Sequence, residues 1–431
     1  MTEAAFVLKA PRSLALSEHR LLRFVTLFLL YFAQGLPFGL VDFALPAWLA
    51  QNGASAAAIG GVLAMVILPW TFKLVYGFAM DRYAFLAMGR RRPWIIVGQA
   101  GLVAGFLAMA YVNPGAHQIG LIAAFAFAVG LTSAVQDVAV DGLAVDILPA
   151  DEIERVNGYM FGGQAIGIAV SAAVSGTLIA YSGLAAALLT LAVMTFAILI
   201  LVLIVRERSG ERLLPWTQGA ASQRNLDLHY GAFGPIIRNL CAAMFTRQIL
   251  ILIPALIAIV AAWGIFLGLA PLFATNILGW EKDLYSAWSS QANLLAGVAG
   301  GLLFGVAAGR WGARRLFILC AITVAAFALV MLGLQTHWPN PTLFIGAIFI
   351  FVALAVFRAV TAGSLAMRLC TPAVAATQFA LFMAALNLGR SIASASLGWL
   401  DSLGGIPAMF TAMAVLSLIA AAFAFAAKVG R

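Results

Sequence analysis

Charge is scarce in this chain. Only 10% of its 431 residues are Asp, Glu, Lys or Arg, whereas 64% are hydrophobic and the mean hydropathy is +1.03. Soluble domains carry about 25% charged residues and about 45–50% apolar ones, so the composition excludes a cytosolic enzyme. Cysteine is scarce too: Cys241, Cys320 and Cys370 form no CxxC pair, which indicates neither a disulfide framework nor a thiolate metal site. The four histidines, His19, His117, His229 and His337, fall in predicted tails or loops and make no HExxH motif. No phosphate-binding P-loop occurs, so ATP is not the expected energy source, and no cofactor or metal is expected. The first apolar run is preceded by a mixed, polar stretch rather than by a cleavable signal, and it reads as an uncleaved span.

What the chain does have is long apolar runs. At about 35 residues per span and loop, it holds about twelve membrane-crossing helices of about 20 residues and little else. Six runs, at about 21–43, 56–80, 93–113, 118–147, 157–181 and 184–205, make a first half. Six more, at about 248–278, 286–308, 313–335, 341–367, 373–400 and 405–427, make a second. The expected fold is therefore an all-α polytopic membrane protein with two six-helix bundles. Its expected divisions are a tail (1–20), a first bundle (21–205), a polar linker (206–247) and a second bundle with a short tail (248–431).

The net charge of +9 would suggest nucleic acid in a soluble protein, but here it is read as topology. The N-terminal tail, Arg90–Arg92, the linker, Arg310, Arg314, Arg315, Arg368, Lys428 and Arg431 fall on one side, and the opposite loops offer only Lys282. Both termini are then cytoplasmic, in agreement with an even number of spans.

Two loops half a chain apart look alike. GFAMDRYAFLAMGRRR (77–92) follows the second run and GVAAGRWGARR (305–315) follows the eighth, each with a glycine, a basic residue five positions on and an arginine cluster. Gly77 and Gly305 are 228 residues apart, as parallel duplicated halves would place them. This pattern resembles the loop signature of the major facilitator superfamily, with Gly77, Asp81, Arg82, Gly89, Arg90 and Arg91 in its roles and extra residues between Asp81 and Gly89. MDRY followed by GRRRPW looks like the AmpG branch of muropeptide permeases, whose relatives include acetyl-CoA transporters and siderophore importers. YFAQGLPFGL (31–40), QDVAVDGLAVDILPADE (136–152) and ATQFAL with Gly389-Arg390 agree with it. Such permeases can carry two further C-terminal spans that the twelve-span reading does not include, and 261–276 lacks the charged residue expected of the closest AmpG proteins.

The resemblance implies proton-linked import of anhydromuropeptides across a bacterial inner membrane by a monomer that binds no nucleic acid. It also implies a gating loop made of the signature residues with Arg92, Asp146, Gly305 and Arg310.

Charge inside a span is costly, so intramembrane ionisable residues are the functional candidates. They are Asp42, Lys73, Asp137, Asp141, Arg358 and Arg390, with Asp146 near a helix end. Asp137 and Asp141 lie one helical turn apart on one face, and two carboxylates there resist being charged together. They read either as a proton-coupling site neutralised in part by Lys73 or as acids that lock a gate with Lys73 and Arg90–Arg92. Arg358 and Arg390 have no acid in the spans of their own half. They suit a carboxylate or phosphate, unless helix carbonyls or an acid of the other half satisfy them. Gln34, Gln136, Gln164, Asn293 and Asn387 could line a polar cavity, although each amide alone is more often a helix–helix bond.

The expected function is thus a secondary transporter of an anionic solute, with siderophore and acyl-CoA-like cargoes as rivals. A pigment-complex assembly factor and an aspartate-based membrane prenyltransferase are the other classes, and the latter lacks a second aspartate cluster.

Overall fold

A membrane interior offers the backbone no water, and a long apolar run can satisfy its N–H and C=O groups there by coiling into a helix. In the computed structural model, which describes residues 14–54, 56–280 and 282–427, nearly every apolar run does so. The long helices are α1 (Arg20–Leu49), α2 (Gly61–Arg82), α3 (Arg92–Val112), α4 (Ile119–Ile147), α5 (Ile153–Ser182) and α6 (Leu184–Ile204) in the first half. They continue with α7 (Arg247–Asn276), α8 (282–311), α9 (Ala313–Gly333) and α10 (Pro341–Leu369). The chain is then helical from Ala375 to Ala426 except at Gly404 and Gly405, whose φ of 163° and 63° break it into α11 (375–403) and α12 (406–426).

Eleven spans among the described residues meet the length and hydropathy of a membrane crossing, and α8 occupies the place of the expected eighth. Residues 1–13, Lys428 and Arg431 lie outside the described residues, as does the side chain of Lys282.

Three helices depart locally from α geometry, α2 through a 3-10 stretch at Leu68–Phe72 and the other two through π turns. Pro37 lies inside α1, and residues Leu40–Ala44 just beyond it form a π turn that contains Asp42. Gly300–Phe304 form the second π turn, within α8. Such single π turns often mark functional positions.

The halves repeat each other in a detail the sequence did not single out. The Arg92 guanidinium, at the start of α3, donates to the carbonyls of Val202 and Leu203 (2.9 and 2.8 Å), and Arg314, at the start of α9, donates to those of Ala424 and Phe425 (2.9 and 2.5 Å). Arg314 follows Arg92 by 222 residues and Ala424 follows Val202 by 222. In both halves an arginine satisfies C-terminal carbonyls that the last helix cannot bond itself. Gly77 and Gly305 are 228 apart, so the first loop is six residues longer. Those residues fall around the short 3-10 turn Leu86–Met88.

The halves share a core at one end only. One buried cluster joins Leu27, Tyr31, Val138 and Met160 of the first half to Ala255, Phe266, Leu365 and Phe379 of the second. A second cluster, with Leu36, Leu49, Val66, Phe106 and Leu188, draws on the first half alone. Small residues permit the close approach: a Cβ on Gly158 would lie 2.6 Å from the Cα of Gly305, and one on Gly77 would lie 2.8 Å from the Cα of Thr377. The halves therefore meet at the arginine-rich face.

Candidate functional site

Three groups of side chains carry the candidate chemistry. The first is a latch at the arginine-rich face. Asp81, 1% exposed, uses its two carboxylate oxygens in different directions. Oδ1 accepts from Arg91 at 2.5 Å and lies 3.7 Å from Arg90, both in its own half. Oδ2 accepts from the backbone N–H of Thr377 at 2.9 Å and from its hydroxyl at 2.6 Å, in the other half. Thr377 stands in the first turn of the helix beginning at Ala375, where backbone N–H groups lack helical partners, so Asp81 caps α11 across the interface.

Asp146 completes the cluster by accepting from Arg91 Nε at 3.1 Å and Arg90 at 3.3 Å. Arg90 also donates to the carbonyls of Pro372 and Ala373, and Arg368 to Glu154 at 2.5 Å and to the Ala150 carbonyl at 2.9 Å. Burial holds the Arg90 guanidinium below its ordinary range, with the neighbouring Arg91 charge adding to that and Asp146 and Asp81 opposing it.

Glu207, which sequence reasoning passed over as a linker residue, holds the loop itself. Its carboxylate accepts from the backbone N–H groups of Arg90, Arg91 and Arg92 at 3.0, 2.7 and 2.5 Å, which is where α3 begins. Gly89 (φ +104°) makes room, since a Cβ there would lie 2.4 Å from the Glu207 carboxyl carbon. Burial raises the Glu207 carboxyl above the usual carboxylate range, while the amides pull it back down.

Two expected gating residues are corrected. Arg82 stacks on the Tyr83 ring, 5.0 Å from its centroid, and makes no salt bridge among the described residues. Arg92 is spent on the end of α6, so neither joins the Asp81 cluster. Gly305 sits where α8 crosses α5, and Arg310 is exposed beside it.

The second group is the buried acid pair. Asp137 forms a salt bridge with Lys73 and accepts from the side-chain amide of Gln34, while Asp141 accepts from the Tyr31 hydroxyl. The ammonium of Lys73 also lies 4.4 Å from the centre of the Trp70 ring. Gln164 donates to Gln34 at 2.5 Å, extending the chain of hydrogen bonds toward α5. Lys73 pairs as expected, but Arg90–Arg92 turn to Asp81, Asp146 and backbone groups instead. Tyr31 was not singled out in the sequence, because a tyrosine in an apolar run reads as core.

The third group lies in the second half. Arg358 (α10) and Arg390 (α11) both stack on Trp263 of α7, with guanidinium carbons 4.8 and 5.2 Å from the ring centroid. Neither has a carboxylate within salt-bridge distance among the described residues, and the Nε of Arg358 is buried without a hydrogen-bond partner. The charge that faces Arg390 comes from the other half: Asp42, on the π turn of α1, is within its electrostatic reach.

Of the expected amides, Gln136 is fully buried and donates to the Leu30 carbonyl at 2.9 Å. Asn293 donates to Ser289 one turn back in its own helix. Gln136 is corrected from a solute contact to a packing bond, whereas Asn293 is partly exposed and bonds only within its own helix. Asn387 is exposed one turn before Arg390.

Two helical bundles joined at one face by a polar latch, one with a buried acid pair and the other with two arginines on a tryptophan, have the build of a membrane transporter. The chain belongs to the Major Facilitator Superfamily, whose profile matches residues 27–292. It is similar to the anhydromuropeptide permease of Escherichia coli K12, at 35% identity over 130 residues, a match covering 30% of this chain and 26% of the permease. Similarity to the folate-biopterin transporter of Synechocystis is weaker but broader, at 26% identity over 90% of this chain and 78% of that one. The fold also matches the solved outward conformation of the transporter FucP, with a TM-score of 0.70 at 12% identity over 95% of this chain and 99% of that one. Members of this superfamily carry small molecules and are not enzymes.

Proposed function

We propose that the protein imports an anionic solute, with anhydromuropeptides as the leading cargo, by proton-coupled alternating access in a bacterial inner membrane. The observation that carries this reading is the Arg358–Trp263–Arg390 stack. It holds two cations over one aromatic ring, with no carboxylate of their own half to neutralise them. Such a pair takes a carboxylate or phosphate through charge-assisted hydrogen bonds. The exposed Asn387 is placed to read an amide or hydroxyl of the same solute.

Residues 21–205 and 248–431 act as the two rocking units, joined by the linker 206–247. The latch face is cytoplasmic, as are both termini, because the arginines cluster there. In this arrangement the latch is closed and the solute enters from the opposite face. Protons load on the Asp137–Asp141 pair, where Lys73 holds Asp137 and the Tyr31 hydroxyl donates to Asp141. A proton taken up there frees Lys73 and lets the first half shift against the second.

The muropeptide assignment is supported by the match to the Escherichia coli permease. Its test is uptake of labelled anhydromuropeptide by cells whose own permease is deleted. Accumulation that depends on the proton gradient is expected, and no accumulation would remove this cargo. A folate-type anion is the second reading, supported by the near full-length similarity to the Synechocystis transporter. Its signature is competition by folate for the same uptake.

A further inference from the structure

A cavity of about 420 Å³ at the arginine-rich face has no part in the transport cycle just described. It is built by the six-residue excess of the first loop: Tyr83 and Phe85 form one wall, Trp94 and Val97 of α3 a second, and Arg82 and His229 its polar part. The Trp94 indole N–H donates to the Tyr83 carbonyl at 2.7 Å, which fixes the loop against α3.

The polar part is positive and uncompensated. Arg82 makes no salt bridge among the described residues, since the adjacent Asp81 is held by Arg91 and Thr377. The Nδ1 atom of His229 is buried without a hydrogen-bond partner. Burial, and after it the guanidinium charges of Arg90 and Arg82, push that imidazole below its ordinary range. An anion between Arg82 and His229 would relieve this.

The rim is apolar and lies at the membrane surface. Tyr83, Phe85 and Val97 are 56%, 47% and 61% exposed. Val97 stands near the start of the membrane helix α3, with Leu107 exposed further along it. Beside the cavity the linker helix Phe233–Met244 begins, with the Phe233 ring edge-on to Tyr83 at 6.0 Å. Phe233, Ile237, Cys241 and Phe245 recur every four residues and are all exposed, with Arg238 alongside. An apolar stripe with a basic flank is the form of a helix lying in a bilayer interface, and it sets the cavity at headgroup depth.

We propose that this cavity binds the phosphodiester headgroup of an anionic phospholipid, with Arg82 and His229 on the phosphate and an acyl chain along Val97. The bound lipid fastens the loop that carries Arg90 and Arg91, and so ties the latch to the composition of the leaflet.

The test is native mass spectrometry of the full-length protein, delipidated in detergent and titrated with phosphatidylglycerol or phosphatidylcholine. The wild type is expected to retain phosphatidylglycerol several-fold better. Arg82→Gln should cut that preference by about fivefold, the size of one basic residue's attraction to an anionic membrane, and His229→Phe, which keeps a ring but removes the imidazole's hydrogen bond, should lower it in the same direction. Val97→Trp, which keeps Arg82 and His229 but fills the cavity, should lower adducts of both lipids. Melting curves in detergent that match the wild type show that the variants are folded. Equal retention of the two lipids by the wild type, or an unchanged preference in folded Arg82→Gln, overturns the proposal. So does competition by millimolar inorganic phosphate as effective as that of the lipid, which would assign the site to a soluble phosphorylated solute.

Discussion

Replacing Thr377 by valine tests how the arginine-rich face is held closed. Valine keeps the shape of threonine and the backbone N–H bond to Asp81 Oδ2 at 2.9 Å, and it removes only the 2.6 Å hydroxyl bond. A hydrogen bond to a charged group contributes about 1.5–3 kcal/mol. When the face opens, water takes over the Asp81 carboxylate, so the loss falls on the closed state alone. The closed-to-open ratio should therefore drop by roughly ten- to a hundredfold, at about 1.4 kcal/mol per factor of ten.

Asp81→Asn should act in the same direction and further, because it also weakens the hold on Arg91 (2.5 Å) and Arg90 (3.7 Å). Spin labels on Asp151 and Arg315, exposed at the same face of the two halves, would report the change as a longer distance population. The three native cysteines are replaced beforehand. Added salt should affect the wild-type distribution little, since Asp81, Arg90 and Arg91 are at most 1% exposed. Distance distributions that stay at the wild-type value in both variants would refute the capping argument.

Three further outcomes follow from the same geometry. Arg358→Gln should lower solute uptake by roughly ten- to a hundredfold and raise the half-saturating concentration, because it removes one cation from the Trp263 stack; an unchanged uptake curve would detach the stack from the solute. Asp137→Asn should abolish the dependence of uptake on the proton gradient, and proton-coupled uptake that persists in it would move coupling elsewhere. The Glu211 carboxyl is raised to about 7, chiefly by burial and next by the Glu207 charge, from 4.5 when exposed. The folded linker then holds a proton that the unfolded one has lost, so its stability is full below about pH 4.5 and declines as pH rises to about 7. The protection of the Arg208 amide, whose N–H donates to Glu211 at 2.9 Å, should fall over that interval once exchange is corrected for its base-catalysed intrinsic rate, and should stay constant in Glu211→Gln.

The candidate acids and arginines were legible because charge stands out against apolar spans. Asp137, Lys73, Arg358 and Arg390 could be picked out by type alone, and Lys73 was expected to neutralise one of the two acids, which the structure identifies as Asp137. Their uncharged companions could not. Tyr31 and Trp263 are ordinary residues of a hydrophobic run until Asp141 or two guanidinium groups are placed beside them. The amides failed in the other direction. Gln136 looked like a cavity residue, and only packing shows that it serves the Leu30 carbonyl.

By itself the sequence determined the all-helical membrane architecture, the order of the long apolar helices and the residues able to carry charge into the membrane. These are local properties: an apolar run must satisfy its own backbone in lipid, whatever its neighbours do. The tertiary structure alone decided which charges meet. Asp81 caps α11 through Thr377, 296 residues away, and Glu207 caps α3 from the linker, 117 residues beyond Arg90. Capping requires only that a carboxylate come to rest at the free amides of a helix start. Sequence spacing does not record such an encounter, because it is made by the packing of helices distant in the chain.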